Sequence, residues 1–435
     1  MYGSSSPSAS DPAVRTLIER RNQLLGPYYR LFYDEPVHVV RGEDVWLFDD
    51  TGERYLDAYN NVACVGHCHP RVVDILAKQA ATLNTHTRYL HTHILDYAES
   101  LLSTLPNEIG RLTLTCTGTE ANDLALRIAN NRVGGRAGIV VTDWAYHGGS
   151  VAVAEITPCL GIGVGEHVRT VPAPDSYRCD PERLAAELEE QVTTAFADLR
   201  AAGYAPGAFV FDSIFSSDGV FAHPAGVLVP ACDAARRLGA LVVADEVQAG
   251  FARTGDAFWG FERHGIVPDI VTMGKPMGNG HPIAGLAARP EVLDAFADRS
   301  RHFNTFGGNP VSCAVGQAVL DIIVEEGLQE NARATGDYLR AGLSELAGRH
   351  ALIGDVRGAG LFTGCELVTD REPKTAATDA TGDVVNALRA RNVLVSRAGR
   401  DGNTLKIRPP LTFRRKHADL LVERLDDALT EVASA

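Results

Sequence analysis

The sequence predicts an α/β protein whose main sheet is mostly parallel and covered by helices on both faces. Three observations carry this. Short apolar runs recur without the polar alternation of a half-wet strand, as strands buried on both sides require. Amphipathic helix-like segments separate them. The residues that close the runs are also regularly placed: 28 residues from Gly118 to Tyr146, 33 from Asp212 to Asp245 and 30 from Asp245 to Lys275. Each interval is about one strand–helix–strand unit.

Taken in chain order, residues 28–60 read as a strand-rich N-terminal segment, with Val45-Trp-Leu-Phe48 and Arg54-Tyr-Leu-Asp57 flanking the turn Asp50-Thr-Gly52. Leu112-Thr-Leu-Thr-Cys116 is a strand, followed by Gly118-Thr119 and a helix with Ala121, Leu124, Ala125 and Ile128 on nearby faces. Gly138-Ile-Val-Val-Thr142 precedes Tyr146-His147-Gly148, and Phe209–Asp212, Ala240–Asp245 and Asp269–Met273 are three further buried-type strands. After Gly308-Asn309-Pro310 the pattern changes to long helices, Val311–Gly327 and Gln329–Leu346, then to short strands near Gly360–Gly364 and Thr404–Arg408. The expected organisation is an N-terminal segment at 1–58, of which 1–12 is a flexible tail, a large domain at 59–310 and a smaller α/β domain at 311–435.

Composition narrows the function. In 435 residues, 45% hydrophobic and 22% charged side chains are ordinary for a globular protein and wrong for a disordered one. Lys plus Arg number 41 against 55 Asp plus Glu, a formal charge of −14, which argues against nucleic acid or anionic membrane as partner. No apolar run reaches the roughly 18 residues that a membrane span needs. Residues 1–12 have neither the cationic start nor the apolar core of an export signal, so the chain is expected to be cytoplasmic and its eight cysteines reduced. Cys64, His67, Cys68 and His69 crowd four soft ligands into one loop, but no second Cys/His pair exists at short spacing. A tight Gly-His turn before a helix starting at Pro70 is expected there, and no metal.

In an open parallel sheet, ligands bind beyond the carboxyl ends of the strands. That edge collects unusual chemistry here. Thr117-Gly118-Thr119-Glu120-Ala121-Asn122 joins a strand to a helix start, where free N–H groups and the dipole favour an anion. Alone this is an ordinary capped helix, and no P-loop motif is present. Asp245 closes an apolar strand and is either a cap or the counter-charge of a cation. Lys275 follows another apolar strand; desolvated there, it would lose its proton readily. Together these groups fit a lysine that binds, as a Schiff base, an aldehyde cofactor bearing a phosphate.

Over nearly its whole length the chain resembles the class III aminotransferase family of pyridoxal-phosphate enzymes. The residues that carry the resemblance are Gly66–Pro70, Thr117–Asn122, Tyr146-His147-Gly148, Asp245–Gln248, Lys275 and Thr305–Pro310. It implies the fold-type-I architecture: a large domain with a mostly parallel seven-stranded sheet, and a smaller α/β domain formed by the C-terminal region and the N-terminal segment. It implies pyridoxal 5'-phosphate as cofactor and assigns roles. Lys275 would form the Schiff base and later move protons, while Asp245 would keep the pyridine nitrogen protonated. Tyr146 and Val247 would pack on the ring faces, and Gln248 would reach the ring oxygen. Gly118 and Thr119 would hold the phosphate, joined by Thr305 from a second subunit, so a homodimer with shared active sites is implied.

Departures from the family bear on substrate. The Asp57–Gly66 loop is two residues shorter than usual, Asp212-Ser213 replaces a Glu-Pro, and Gly149 replaces an Arg. The Arg that in many members binds the substrate carboxylate is Lys406, with Arg408 directly before Pro409-Pro410. Tyr59–Gly66, Thr272–Pro282, Phe303–Ala314 and Leu405–Pro410 look closest to the ethanolamine-phosphate phospho-lyases and their relatives that cleave 5-phosphohydroxylysine. The resemblance therefore implies a lyase that takes a small phosphorylated amine. Arg30, Arg88, Lys406 and Arg408 are the candidates to bind the substrate phosphate. An aminotransferase of the omega or alanine-glyoxylate type is the alternative.

Overall fold

Seven strands form the central sheet of the computed structural model, which describes residues 7–434. From one edge to the other they are Arg111–Thr115, Ala284–Ala288, Ile270–Met273, Leu241–Asp245, Ala205–Asp212, Ala137–Thr142 and Val168–Val171. Only Ala284–Ala288 runs antiparallel to its neighbours. The seven-stranded, mostly parallel sheet expected from the sequence is present.

The unalternating strands are explained by two cores. Successive residues point to opposite faces of a strand. Val140, Phe209, Phe211, Val242 and Ala244 enter one core with Leu188, Val192 and Phe196 of helix Leu184–Ala201. Ile139, Val141, Ala208, Val210, Leu241 and Val243 enter the other with Leu124, Ala125 and Ile128 of helix Gly118–Arg132. Each such Val, Leu, Ile or Phe side chain contributes about 1.5–3 kcal/mol on burial, so charged groups are kept off the buried central strands. Carboxylates stand where those strands end, as Asp212 and Asp245 do, side by side in register.

Helices Pro310–Glu325 and Leu328–Arg349 match the two long helices expected, with Gly327 at φ +60° making the break between them. The strand expected at Gly360–Gly364 is instead a turn and the start of a strand. Ile353–Ala359 and Phe362–Asp370 pair antiparallel, and Gly360 at φ +51° closes the hairpin. Thr404–Ile407 and Ser396–Ala398 complete that sheet. A third sheet joins chain ends: Val39–Glu43, Trp46–Asp49 and Arg54–Asp57 are extended by Val393–Leu394, with Leu56 opposite Val393.

Of the stretch 1–12 read as a tail, residues 1–6 lie outside the described residues. Beyond them, Ser8 N–H donates to the Asp34 carbonyl, Ser10 to Glu35, and Asp11 caps helix Pro12–Leu24. The 64–69 loop sends its four soft side chains apart. Cys64 is buried with Sγ 3.3 Å from the Pro276 carbonyl, His67 pairs with Asp57 at 2.7 Å, Cys68 is exposed, and His69 pairs with Glu326 before the helix Pro70–Thr82.

Candidate active site

Asp245, Lys275 and the start of helix Gly118–Arg132 meet at one cavity of about 290 Å³ at the carboxyl ends of the parallel strands. Asp245 is held on three sides. Its Oδ2 accepts from Asn122 Nδ2 and pairs with His147 Nδ1, both at 2.8 Å, and its Oδ1 accepts from the Val247 N–H at 3.1 Å. Asn122 is fixed in turn, receiving Thr272 Oγ1 at 2.6 Å and donating to the His147 carbonyl at 2.7 Å. Asp212, on the neighbouring strand, also lines the cavity; its carboxylate is occupied by Ser216 and by the Ile214 and Ser216 N–H groups.

Lys275 opens a short helical turn, Lys275–Gly278, directly after its strand. Burial, with Arg408 adding repulsion, pushes its amine down to about 8 from the ordinary lysine value. A small share of such an amine is free as a nucleophile at neutrality, far more than of a surface lysine, and most of it is free above about 8. The turn is tied down by Asn279, whose side chain accepts from the Val65 N–H and donates to the Gly66 carbonyl.

Thr117 and Glu120 form a capping box that satisfies the Thr117 and Glu120 N–H groups. The next donors, Gly118 and Thr119, are the first two of the helix and have no helical acceptor. Both line the cavity. Space there is tight: a Cβ at Gly118 would lie 2.7 Å from Val247 Cγ2, and one at Gly148 would lie 2.5 Å from Thr119 Oγ1. Tyr146 and Val247 supply aromatic and apolar walls. A carboxylate, an amine, an anion cradle and two flat walls around one space fit pyridoxal phosphate.

A second cavity of about 270 Å³ shares Tyr146, Gln248 and Lys275 with the first. Lys406 and Arg408 line it, with Phe32, Tyr59, Trp144 and Ser396. Arg408 is anchored by Gln248 Oε1, by its backbone N–H to the Ala58 carbonyl, and by the Tyr59 ring 4.5 Å away. Lys406 is 6% exposed, yet its amine has no hydrogen bond or ion pair among the described residues. Its close neighbour is the Phe362 ring at 5.4 Å. Burial and Arg408 hold that amine well below the ordinary lysine range.

The other two candidate cations stand elsewhere. Arg30 is exposed on the N-terminal segment, and Arg88 is exposed on the loop after helix Pro70–Thr82, over the Phe303 ring at 4.0 Å. Thr305 is exposed on the loop before Pro310 and does not line the cavity of its own chain. Sequence reasoning gave no role to Asn122 or His147 in holding Asp245, and it missed Trp144, Tyr59 and Phe32 as walls of the second cavity.

The class III aminotransferase family profile matches residues 31–429. An alanine–glyoxylate aminotransferase 2-like protein of Drosophila melanogaster is 41% identical over 98% of this chain and 89% of that protein. An ethanolamine-phosphate phospho-lyase homolog of Caenorhabditis elegans is 34% identical over 99% of this chain and 97% of that protein. Among solved structures, a phospholyase from Arthrobacter in complex with phosphoethanolamine is 43% identical, with a TM-score of 0.91 over 95% of this chain and 99% of that one.

Proposed function

The chain belongs to the class III aminotransferase family, pyridoxal-phosphate enzymes of fold type I, and on that premise we propose that it is a phospho-lyase. Its substrate is an amino-alcohol phosphate, ethanolamine phosphate, which it converts to acetaldehyde, ammonia and phosphate. The observation that carries this reading is the second cavity. Lys406 and Arg408 line it together with Lys275, and by the family resemblance Lys406 takes the place of the arginine that in many members binds the substrate carboxylate. Likeness to the Arthrobacter phospholyase and to the C. elegans homolog supports it.

Bound in the first cavity, pyridoxal phosphate supplies an aldehyde for the substrate amine and a protonated ring that withdraws electrons from the adjoining carbon. Gly118 and Thr119 would hold its phosphate and Asp245 would keep a proton on its ring nitrogen. Lys275 would bind its aldehyde carbon, then act as the base that removes a proton from the substrate carbon bearing nitrogen. Tyr146 and Val247 exclude water from the two faces of the site. Lys406 and Arg408 would hold the substrate phosphate, which leaves from the neighbouring carbon.

The reading includes a homodimer in which Thr305 reaches the partner's cofactor phosphate. Its support is the exposure of Thr305 together with Phe303 and Phe306, which are 45% and 69% exposed on the same loop. The second reading, an aminotransferase, is favoured by likeness to the Drosophila protein. One assay separates the two. Given ethanolamine phosphate and no keto acid, the lyase releases acetaldehyde, ammonia and inorganic phosphate over many turnovers. Strict dependence on pyruvate or glyoxylate overturns the lyase reading.

A further inference from the structure

We propose that Lys406 is the general acid of the elimination: its ammonium gives a proton to the bridging oxygen of the substrate phosphate as the carbon–oxygen bond breaks. The proposal rests on the phospho-lyase reading and adds a catalytic step to what is otherwise a binding residue.

The need for a donor follows from the leaving group. A phosphate monoester is close to a dianion at neutral pH, its second ionisation lying at about pH 6. When the carbon–oxygen bond breaks, both electrons stay on oxygen. Without a proton the product is a phosphate trianion, a poor leaving group in water. With one it is hydrogen phosphate. Lys275 is already committed as base at the neighbouring carbon, so the acid must be a different group.

Lys406 and Arg408 are the cations that join Lys275 in lining the second cavity besides Arg397, whose guanidinium donates to the Thr378 carbonyl. They lie two residues apart at the end of strand Thr404–Ile407, so both side chains leave the same face. Both approach the ring of Phe362, at 5.4 and 5.9 Å. Their surroundings divide the work. Arg408 is locked by Gln248 and Tyr59, and its buried Nε still lacks a partner. A guanidinium does not give up its proton at working pH, so Arg408 can hold the outer phosphate oxygens but cannot protonate the inner one. Lys406 can. Its amine is buried and has no acceptor among the described residues, which leaves its protons free for an incoming anion.

Its surroundings make Lys406 a stronger acid than an ordinary lysine. Burial disfavours the ammonium most, Arg408 repels it next, and Lys275 adds to this; Asp212 and the Cys159 side chain oppose them. Arrival of the phosphate dianion restores the proton. Departure of charge onto the bridging oxygen then draws it off. The balance closes: Lys275 gains the carbon's proton, the bond's electron pair goes to oxygen, the Lys406 proton follows, and hydrogen phosphate leaves. Solvent afterwards returns one proton to Lys406 and removes one from Lys275.

The test compares wild type with Lys406→Arg on two substrates, ethanolamine phosphate and 2-chloroethylamine, whose chloride leaves without a proton. Inorganic phosphate binding is measured in parallel by calorimetry. In Lys406→Arg, phosphate release should fall by roughly 10²–10⁴-fold, the usual worth of a general acid, while phosphate binding and chloride release stay close to wild type. Near-normal phosphate release, or an equal fall on both substrates, overturns the proposal alone. A wild type that frees no phosphate from ethanolamine phosphate overturns the phospho-lyase reading and this proposal with it.

Discussion

Asn122 Nδ2 donates to Asp245 Oδ2 at 2.8 Å, although the two residues sit on different elements 123 positions apart. The amide also serves the His147 carbonyl, and its oxygen takes the Thr272 hydroxyl, so one side chain couples helix Gly118–Arg132, two strands and the loop after a third. Asp245 is thereby oriented before any cofactor arrives.

Replacing Asn122 by Ala should therefore act through Asp245. It strands a buried hydroxyl and a carbonyl, at a stability cost of about 1–3 kcal/mol. The turnover number should fall while KM for the amine changes little. The visible absorption of the bound cofactor should shift as its ring nitrogen loses an aligned carboxylate. Asp245→Asn should keep the fold and lose roughly 10²–10³ in rate, the scale of one preorganised electrostatic contact. Near-normal turnover in that variant would make the carboxylate merely a structural cap.

The glycine of the anion cradle is fixed by its neighbour. A Cβ at Gly118 would meet the buried Val247 Cγ2 at 2.7 Å and displace a wall of the cavity. Gly118→Ala should therefore unfold earlier than wild type without cofactor, by about 1–3 kcal/mol, and should also bind pyridoxal phosphate more weakly. A fluorescence titration of the apo-protein measures this, and unchanged affinity would remove Gly118 from the cradle.

The sheet and its chemical edge were legible in the sequence for one reason. Apolar strands buried on both faces exclude charged groups from their middles, so Asp212, Asp245 and Lys275 stand out where the strands stop. What was hidden depends on packing between distant segments. Asn122 looks like any first-turn helix residue until Asp245 is brought beside it. The walls of the second cavity come from Phe32, Tyr59, Trp144, Ser396 and Arg408, whose spacing follows no period. Arg30, Arg88, Lys406 and Arg408 are equally cationic on paper. Strand Thr404–Ile407 buries Lys406 and carries Arg408 inward, whereas loops leave Arg30 and Arg88 exposed. The strand expected near Gly360–Gly364 starts later, at Phe362, because the turn residue Leu361 is as buried and apolar as the strand that follows it.

Asp218 should control stability against pH. Its carboxyl accepts from Thr142 Oγ1 at 3.0 Å and the Trp144 N–H at 3.1 Å, but burial, helped by Asp143, outweighs these and raises it to about 7. The folded protein thus keeps a proton that the unfolded chain releases near the ordinary carboxyl value. The stability this group contributes is complete below that value and is lost as pH rises through about 7. Asparagine keeps the shape and can satisfy both neighbours, since a hydroxyl can also accept. The melting temperature of Asp218→Asn should match wild type below the ordinary carboxyl value, exceed it increasingly from there up to about pH 7, and stay ahead by a constant margin above. Equal melting curves at every pH would contradict the shift.

Lys275 offers the most direct test of the site's chemistry. Its amine, lowered to about 8 by burial and by Arg408, is protonated and inert below that value and nucleophilic above it. The rate at which apo-protein captures pyridoxal phosphate, followed by the growth of visible absorption, should rise with pH and level off above about 8. Removing the second cause by Arg408→Gln takes a cation from the neighbourhood, relieves the ammonium, and should move the midpoint upward. Burial remains in that variant, so the midpoint should still lie below that of a free lysine. Borohydride treatment of the loaded protein, followed by peptide mapping, should place the cofactor label on Lys275. A label on Lys406 instead would mean that the second buried amine is the nucleophile, and the roles assigned to the two lysines would have to be exchanged.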